Sequence, residues 1–256
     1  MPIPESTIMT DTGNKVIDLW NYAHFEKKYI AVRNKENRLY PDEVLKSLPD
    51  ISANHPLANE WAVRKKELRR LIDFLEHSGR KEIRILEVGC GNGWLSHALS
   101  GVRGAQVLGI DINFTELQQA TRVFFDRGNL KFVYGGLDAK VLEGQTFDFI
   151  LFASSIQYFP FIGLTMAACS RLLATDGEIH VLGSPLYEQA EIAAARQRTK
   201  KYYQDLGYPE MADFYFHHGI GDFDSLSHKI LHSPKSWIHR ILRRGYPFFW
   251  IQLKKD

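Results

Sequence analysis

A glycine-rich turn and an acidic residue about twenty positions further on are the residues of this chain best suited to ligand binding. The turn, Glu87-Val88-Gly89-Cys90-Gly91-Asn92-Gly93, follows a short apolar run, and Asp111 ends the next one. Glycine lets the backbone turn sharply and lets a ligand approach main-chain atoms that a Cβ would block. A carboxylate at the tip of the neighbouring strand can accept hydrogen bonds from both hydroxyls of a ribose. The spacing therefore predicts a ligand that carries a ribose.

A dinucleotide-binding loop is the main alternative for this turn. That fingerprint, Gly-x-Gly-x-x-Gly, needs its third glycine where this chain has Trp94, and an indole there would obstruct close packing of helix against strand. NAD is therefore disfavoured. The alternative for Asp111 is a capping or turn residue ahead of a helix that begins near Thr115. Its pairing with the glycine turn favours the ligand-binding role.

The elements that must position these residues alternate between strands and helices. The predicted strands are Ile83–Val88, Ala105–Ile112, Leu130–Tyr134, Phe147–Ala153 and Glu178–Leu182. The predicted helices between and after them are Trp94–Ser100, Thr115–Arg127, Phe161–Leu173 and Tyr187–Leu206. This alternation predicts an α/β fold, with a parallel sheet, helices on both faces and right-handed crossovers. Ligands of such sheets bind at the carboxyl ends of the strands.

The residues before the first strand form an extension to this α/β region. Aromatic and apolar residues at helical spacing predict a short helix over Val16–Tyr29, and one helical turn is expected at Asp42–Leu48. A longer amphipathic helix is predicted over Asn59–His77. We therefore expect an N-terminal extension over residues 1–58 and a main domain over residues 59–256. The first helix has three alternative roles: a lid, a cover for an apolar edge, or a dimer contact.

Three motifs in order along the chain resemble those of class I S-adenosylmethionine-dependent methyltransferases. They are Glu87-Val88-Gly89-Cys90-Gly91-Asn92-Gly93, then Asp111, then Phe147-Asp148-Phe149-Ile150-Leu151-Phe152-Ala153-Ser154 before a loop. The likeness extends over about Ile83 to Leu182 and is of the methyltransferase type 11/12 kind. It implies a Rossmann-like, doubly wound, seven-stranded sheet, mostly parallel, with the last strand antiparallel. The aromatic segment Tyr246–Leu253 suits that last strand.

The resemblance also implies roles for residues that would hold S-adenosylmethionine. Glu87 would hold the methionine ammonium, Gly89 and Gly91 would line the methionine and ribose, Asp111 would bind the ribose hydroxyls, and Ile112 would pack on adenine. The expected cofactor-binding set is completed by Cys90, Gly93, Leu137, Asp138 and Ala153.

One position departs from the family pattern. After the third strand the family often has Gly-Asp, and its acid or the next amide meets the adenine amino group. This chain has Tyr134-Gly135-Gly136-Leu137-Asp138 instead. Asp138 is the residue that can replace the missing acid, with a plain loop aspartate as the alternative.

The loop after the fourth strand lies where the family places the methyl acceptor. Gln157 and Tyr158 can form hydrogen bonds with a substrate, and Phe159 can line the pocket that holds it. Tyr187 follows the fifth strand at the same edge of the sheet. Packing within the loop is the alternative for all of them. The segment Ser154-Ser155-Ile156-Gln157 is not the Asn/Asp-Pro-Pro-aromatic motif common in methyltransferases that act on nucleic acid bases. A small-molecule acceptor is therefore expected.

The catalytic candidates are Tyr158 and His217, because a hydroxyl acceptor is helped by a general base. A structural role is the alternative for His217. Its neighbour His218 cannot join it as a metal ligand, because adjacent side chains diverge on a helix or a strand, and no metal is expected. His180 lies among apolar residues of the fifth strand and is expected to be a buried histidine with its hydrogen bonds satisfied.

Composition narrows the class of protein. The 256 residues carry a net charge of +2, which gives no global reason to expect a nucleic-acid or membrane-surface partner. Two cysteines and the absence of a basic-then-apolar segment at Met1–Thr10 favour a reduced, cytoplasmic protein without a membrane span. The basic, aromatic region His228–Asp256 has two interpretations. It is a surface for anionic lipid, RNA or a phosphorylated substrate or, as we prefer, a sheet strand preceded by a helix at Trp237–Leu242 with a solvated basic face.

The function expected from these observations is transfer of a methyl group from S-adenosylmethionine to a small-molecule oxygen, nitrogen or carbon by in-line displacement. Two alternatives remain open. One is an RNA or protein methyltransferase that uses the basic C-terminal surface. Salt-sensitive binding to RNA would support this alternative. The other is an inactive scaffold that binds the cofactor without turnover.

Overall fold

Seven strands and seven α-helices are present in the computed structural model, which describes residues 22–234 and 247–255. The strands are β1 (Ile83–Val88), β2 (Ala105–Asp111), β3 (Leu130–Tyr134), β4 (Phe147–Ala153), β5 (Leu173–Leu182), β6 (His228–His232) and β7 (Trp250–Lys254). The helices are α1 (Tyr22–Lys35), α2 (Asp42–Ser47), α3 (Ala58–Glu76), α4 (Trp94–Leu99), α5 (Phe114–Val123), α6 (Ile162–Ser170) and α7 (Gln189–Leu206).

All seven strands form one sheet in the order β3-β2-β1-β4-β5-β7-β6. The pairs β1 with β2, β2 with β3, β1 with β4 and β4 with β5 are parallel. Strand β7 runs antiparallel to both β5 and β6. The predicted Rossmann-like, mostly parallel sheet with its last strand antiparallel is confirmed. The chain reverses its direction of winding between β1 and β4, so their carboxyl ends flank the crevice where such sheets bind ligands.

The sheet differs from its prediction mainly near the C-terminus. Strand β5 begins at Leu173 rather than Glu178, and β6 was not predicted as a strand because its five residues, His-Lys-Ile-Leu-His, lack a buried face. Strand β7 begins at Trp250 within the predicted Tyr246–Leu253. Tyr246 itself and the predicted helix at Trp237–Leu242 lie outside the described residues. The part of the predicted first helix before residue 22 also lies outside them.

Apolar side chains fill both faces of the sheet. On β1, Ile85 packs into a core shared with α3 and α4, whereas the next residue, Leu86, packs into a second core shared with α6. A strand buried on both sides is typical of a parallel sheet covered by helices. His180 is fully buried on β5, where its Nε2 meets Glu178 at 3.1 Å and its Nδ1 accepts from the Trp250 indole at 2.9 Å. The prediction of a satisfied buried histidine is confirmed.

A third apolar cluster attaches α1 to the carboxyl edge of the sheet. Phe25 and Val32 of α1 pack with Tyr203 of α7 and with Met211 of the following 3-10 helix. Polar contacts fix the same helix, since the Glu26 carboxylate accepts from the Thr115 amide at 2.7 Å. Helix α1 therefore lies across the edge where ligands of this fold bind. None of the helices in the described ranges combines the length and apolarity needed to cross a membrane.

Candidate active site

The glycine turn after β1 is held against the end of β2 by its backbone. The amides of Gly89 and Cys90 both donate to the carbonyl of Ile110, at 2.8 and 3.1 Å. Gly89, Gly91 and Gly93 have φ angles of +76°, +53° and +75°, which side-chain-bearing residues rarely adopt. The turn therefore needs glycine for its conformation as well as for access to its main chain.

Gly93 also lets helix α5 and strand β3 approach the turn. A Cβ placed on Gly93 would lie 2.5 Å from Phe132 Cζ and 2.9 Å from Ala120 Cβ. The close-packing role of the third glycine in a dinucleotide loop is thus taken here by a glycine one position earlier. The Trp94 ring that occupies the next position packs at right angles to the Trp61 ring, with centroids 5.0 Å apart.

The Asp111 carboxylate is fixed beside the turn by two amides. Its Oδ2 accepts from Gly91 N at 2.7 Å and its Oδ1 accepts from Asn113 N at 2.8 Å. The side chain that caps helix α5 is that of Asn113, which accepts from the Glu116 amide at 3.1 Å, so Asp111 is not the cap. Burial raises the pKa of Asp111, while the amides of Gly91 and Asn113 oppose that rise.

Glu87 places a second carboxyl group under the same turn. Its side chain is buried at the end of β1, and the Ser96 hydroxyl of α4 donates to its Oε2. Burial raises the pKa of Glu87 to about 8, against the hydrogen bond from Ser96 and with help from the charge of Asp111. Near neutral pH this carboxyl is therefore largely protonated in the protein alone.

Glu116 contributes a third carboxyl that sequence reasoning missed. It is buried in the first turn of α5, and its Oε2 accepts from the Asn113 amide nitrogen Nδ2 at 3.0 Å. A Cβ on Gly91 would lie 3.2 Å from the same oxygen, so the carboxyl faces the glycine turn. Burial raises the pKa of Glu116 to about 7. The spacing of Glu116 in the sequence could have indicated its burial, because Glu116 lies on the same face of α5 as the buried Ala120 and Val123.

The loop after β4 brings Tyr158 to the cluster around α1. The Tyr158 ring lies edge-on to Phe25 and Tyr29, with centroids 6.3 and 5.9 Å away, and 6.1 Å from Tyr215. Burial raises the pKa of the Tyr158 phenol. A phenol that stays protonated can donate a hydrogen bond to a substrate, and it is poorly suited to removing a proton.

Gln157 and Phe159, predicted to contact substrate, are occupied within the protein. The Gln157 amide donates to the Ser154 carbonyl at 2.7 Å and accepts from the Ser184 hydroxyl at 2.7 Å, so it joins the loops after β4 and β5. The Phe159 ring packs on Phe152 of the second core. These contacts match the packing alternative for the two residues.

Ser155, which was not predicted as a site residue, contacts the glycine turn after β1. Its hydroxyl donates to the Val88 carbonyl at 2.6 Å, and its Cβ would be 2.6 Å from a Cβ on Gly89. Because Ser155 is small, the loop after β4 can approach the glycine turn closely.

His217 is held against helix α7. Its Nε2 lies 2.8 Å from the Thr199 hydroxyl, and burial lowers its pKa, partly offset by a hydrogen bond to the backbone of Ala195. Its ring lies beside Tyr187 and Tyr215, with centroids 5.7 and 5.1 Å away. The ring thus has hydrogen-bond partners on α7, which favours a positioning role over that of a free base.

The remaining predicted cofactor residues border the same edge. Cys90 is buried in the turn, and burial raises its thiol pKa well above the ordinary range. Ile112 borders the third apolar cluster and Leu137 packs against the second core. Ala153 ends β4 beside the first core, and Asp138 lies in the loop that follows β3.

Comparison with known proteins identifies the region that carries this edge. The family described as "Methyltransferase domain" matches residues 86–181, from β1 to β5, including Glu87, the glycine turn and Asp111. Residues 86–181 thus match a methyltransferase domain, and the match includes all three motifs that resemble the class I, S-adenosylmethionine-dependent type.

Curated relatives of the methyltransferase domain are named ubiquinone biosynthesis O-methyltransferases. The protein from Leptothrix cholodnii is 29% identical over 133 residues, which are 47% of this chain and 56% of the relative. The protein from Nitrosococcus oceani is 30% identical over 141 residues, which are 51% of this chain and 59% of the relative. The matched stretch thus spans little more than half the length of these relatives.

Solved structures share the fold over a larger part of the chain. Magnesium protoporphyrin IX methyltransferase from Synechocystis, solved with bound SAH, covers 90% of this chain and 100% of its own, with a TM-score of 0.57 and 14% identity. The YcgJ protein of Bacillus subtilis covers 75% of this chain and 99% of its own, with the same TM-score and identity. At this identity the likeness concerns the fold, and it agrees with the strand order described above.

The donor set at the carboxyl edge fits S-adenosylmethionine. Glu87, Asp111 and Glu116 present carboxyl groups around a turn of backbone amides and glycines, and this set suits a ligand with an ammonium group, a sulfonium and two ribose hydroxyls. The methyltransferase domain therefore has the groups that this cofactor needs.

Proposed function

We propose that the methyltransferase domain binds S-adenosylmethionine along the carboxyl ends of β1 and β2 and transfers its methyl group to a small-molecule hydroxyl. The observation that carries the proposal is the 2.7 Å hydrogen bond from Gly91 N to Asp111 Oδ2, because it fixes the ribose-binding carboxylate beside the turn that lines the methionine. Glu87 supplies the counter-charge for the ammonium group at the other end of the turn.

A hydroxyl acceptor is supported by the names of the curated relatives, which are O-methyltransferases. The acceptor would enter beside Tyr158, at the end of β4, where aromatic side chains of α1 and of the loop after β4 meet. When bound, S-adenosylmethionine supplies an electrophilic methyl group on a sulfonium. The chain itself must hold the acceptor oxygen about 3 Å from the methyl carbon and in line with the sulfur.

The residues have separate tasks in this proposal. Glu87 and Asp111 bind the two ends of the cofactor, and the Tyr158 hydroxyl orients the acceptor by donating a hydrogen bond. Helix α1 covers the edge and excludes water from the sulfonium. On this division, helix α1 of the N-terminal extension (residues 1–58) acts as a lid on the methyltransferase domain (residues 59–256).

Calorimetric titration with S-adenosylmethionine, S-adenosylhomocysteine and NAD in parallel tests the cofactor assignment. We expect micromolar binding of the first two ligands and none of NAD. Transfer of a radiolabelled methyl group to a panel of hydroxylated small molecules, with RNA and protein as further acceptors, then tests the reaction class. Failure to bind either sulfur ligand would contradict the whole proposal. Binding without transfer to any acceptor would favour a scaffold.

A further inference from the structure

One face of helix α1 packs on the acceptor loop, which is the loop after β4, and lies beside the cofactor edge, which is formed by the carboxyl ends of β1 and β2. Phe25, Tyr29 and Arg33 are four residues apart and therefore lie on the same side of the helix. Phe25 is buried against Tyr158, and Tyr29 meets the same ring. The Arg33 guanidinium carbon lies 5.0 Å from the centre of the Tyr29 ring. The helix thus brings two aromatic rings and one cation to the acceptor loop.

One nitrogen of the Arg33 guanidinium lacks a hydrogen-bond partner among the described residues. This nitrogen is Nε, and it is buried. Its Nη1 is 3.6 Å from Glu36 Oε2, a distance longer than a hydrogen bond. Buried polar groups are usually hydrogen-bonded. A buried arginine nitrogen without a partner therefore points to a ligand that accepts its hydrogen bond.

Arg33 also interacts electrostatically with groups in both parts of the proposed site. Burial alone would lower its pKa, but the phenols of Tyr29 and Tyr158 and the carboxyl of Glu116 keep that pKa above its ordinary value. Its charge acts in turn on Asp111 and Glu116, beside the ribose position. The guanidinium thus stays charged and interacts electrostatically with groups of both the cofactor edge and the acceptor loop.

The carboxylate of the cofactor is not the group that suits Arg33. In S-adenosylmethionine the carboxylate and the ammonium share one carbon, so the carboxylate must lie near Glu87. The Arg33 guanidinium lies instead over the Tyr29 ring, which meets the Tyr158 ring of the loop after β4. An anionic partner for Arg33 therefore has to come from the acceptor, whose loop contributes Tyr158.

We propose that Arg33 makes the methyltransferase domain selective for aromatic hydroxyl acceptors that carry a carboxylate, of the hydroxybenzoate kind. This inference depends on the proposed function, because it specifies the acceptor of the same site. The planar guanidinium would bind the carboxylate through a bidentate pair of hydrogen bonds, and Tyr29 and Tyr158 would pack on the aromatic ring of the acceptor. The carboxyls of Glu36, Asp111 and Glu116 also face Arg33 and are its competing partners.

The experiment compares matched acceptors on matched variants. The acceptors are hydroxybenzoates, hydroxyphenylacetates and hydroxycinnamates, each paired with its uncharged methyl ester. The variants are Arg33→Met, which keeps an unbranched apolar stem and removes the guanidinium, and Arg33→Lys, which keeps the charge. Arg103→Met is the control, since Arg103 is exposed before β2 at the opposite end of the sheet. Methyl transfer gives KM and kcat, and calorimetry with S-adenosylhomocysteine gives cofactor affinity for every variant.

We expect the acids to be methylated in preference to their esters. Arg33→Met should raise KM for the acids by about tenfold or more, as for the loss of a charged hydrogen bond, with little change for the esters. Arg33→Lys should recover part of that loss, and Arg103→Met should match the parent. S-adenosylhomocysteine affinity should stay within about twofold in all variants.

Other outcomes would overturn the inference and are separable from failure of the proposed function. A fall in cofactor affinity in Arg33→Met, with acids and esters affected alike, would make Arg33 a counter-ion of Asp111 and Glu116. Preference for the esters, or no transfer to any member of the panel with cofactor binding intact, would reject the anionic aromatic acceptor. Loss of cofactor binding in the parent protein would instead reject the proposed function.

Discussion

The backbone amide of Gly91 donates a 2.7 Å hydrogen bond to Oδ2 of Asp111, twenty residues away. The bond joins the glycine turn after β1 to the tip of β2, so the position of the carboxylate depends on the conformation of the turn. The amides of Gly91 and Asn113 each donate to one carboxylate oxygen of Asp111, and the backbone of Ile112 contributes a further hydrogen bond. The carboxylate is therefore held in place before a ligand binds.

Replacing Asp111 with alanine should weaken cofactor binding by about 1–3 kcal/mol, because its ribose hydrogen bonds are lost. Calorimetric titration with S-adenosylhomocysteine measures the effect. Asp126→Ala is the matched control, since Asp126 is exposed after α5 and should leave the affinity unchanged. Equal affinity in Asp111→Ala and the parent would contradict the ribose-binding assignment.

The cofactor edge could be predicted from the sequence because its chemistry is local. Positive φ angles require glycine at Gly89, Gly91 and Gly93, and the strand register that places Asp111 beside them follows from the apolar runs. Glu116 was missed although its position on the buried stripe of α5 was readable. An acidic residue in the first turn of a helix also has an ordinary explanation in the helix dipole, which concealed it.

The acceptor side could not be predicted to the same depth, because its side chains are directed by contacts far apart in the chain. Gln157 is held by Ser184, and His217 by Thr199, and neither pairing leaves a pattern in the sequence. Strand β6 was missed for a related reason. Strand β6 pairs with β7, which lies far along the chain, and the five residues of β6 alternate neither in polarity nor in burial.

Gly93→Ala should destabilise the fold more than Gly144→Ala. Both glycines have positive φ, +75° and +73°, so each alanine pays a similar backbone strain of about 1 kcal/mol. At Gly144 a Cβ meets nothing within 4 Å, whereas at Gly93 it would overlap Phe132 and Ala120. The overlap should add about 1–3 kcal/mol. Urea unfolding of both variants measures the difference, and equal losses would show that Gly93 is needed only for its conformation.

Cofactor affinity should increase between pH 6 and pH 7.5 because of Glu87. Its pKa of about 8 in the protein alone leaves the carboxyl mostly protonated in this range. Pairing with the ligand ammonium favours the carboxylate, so binding must release a proton and becomes easier as the pH rises. Calorimetry in buffers of different ionisation enthalpy measures the released proton. Glu87→Gln should release none and lose the pH dependence, and unaltered release in that variant would assign the proton elsewhere.

The same carboxyl gives a second, independent expectation for stability. Because folding raises the pKa of Glu87, its contribution is fully present below the unfolded pKa of about 4.3 and is lost as the pH rises through about 8. Glu87→Gln keeps a neutral group at every pH. We therefore expect thermal unfolding of the variant and parent to agree most closely near pH 5, with the variant gaining relative stability by pH 8.5. A parallel pH dependence in the two proteins would contradict a buried, neutral Glu87.

Tyr158→Phe should impair methyl transfer without affecting cofactor binding. The substitution keeps the ring that packs against Phe25 and Tyr29 and removes only the hydroxyl proposed to orient the acceptor. Loss of one such hydrogen bond, about 1.4 kcal/mol, corresponds to a roughly tenfold fall in kcat/KM. Tyr40→Phe is the control, because it removes a hydroxyl that accepts from the Trp61 indole at 2.8 Å, away from the acceptor loop. That control should lower stability and leave kcat/KM near the parent value. If Tyr158→Phe instead behaves like the control, Tyr158 acts through packing alone.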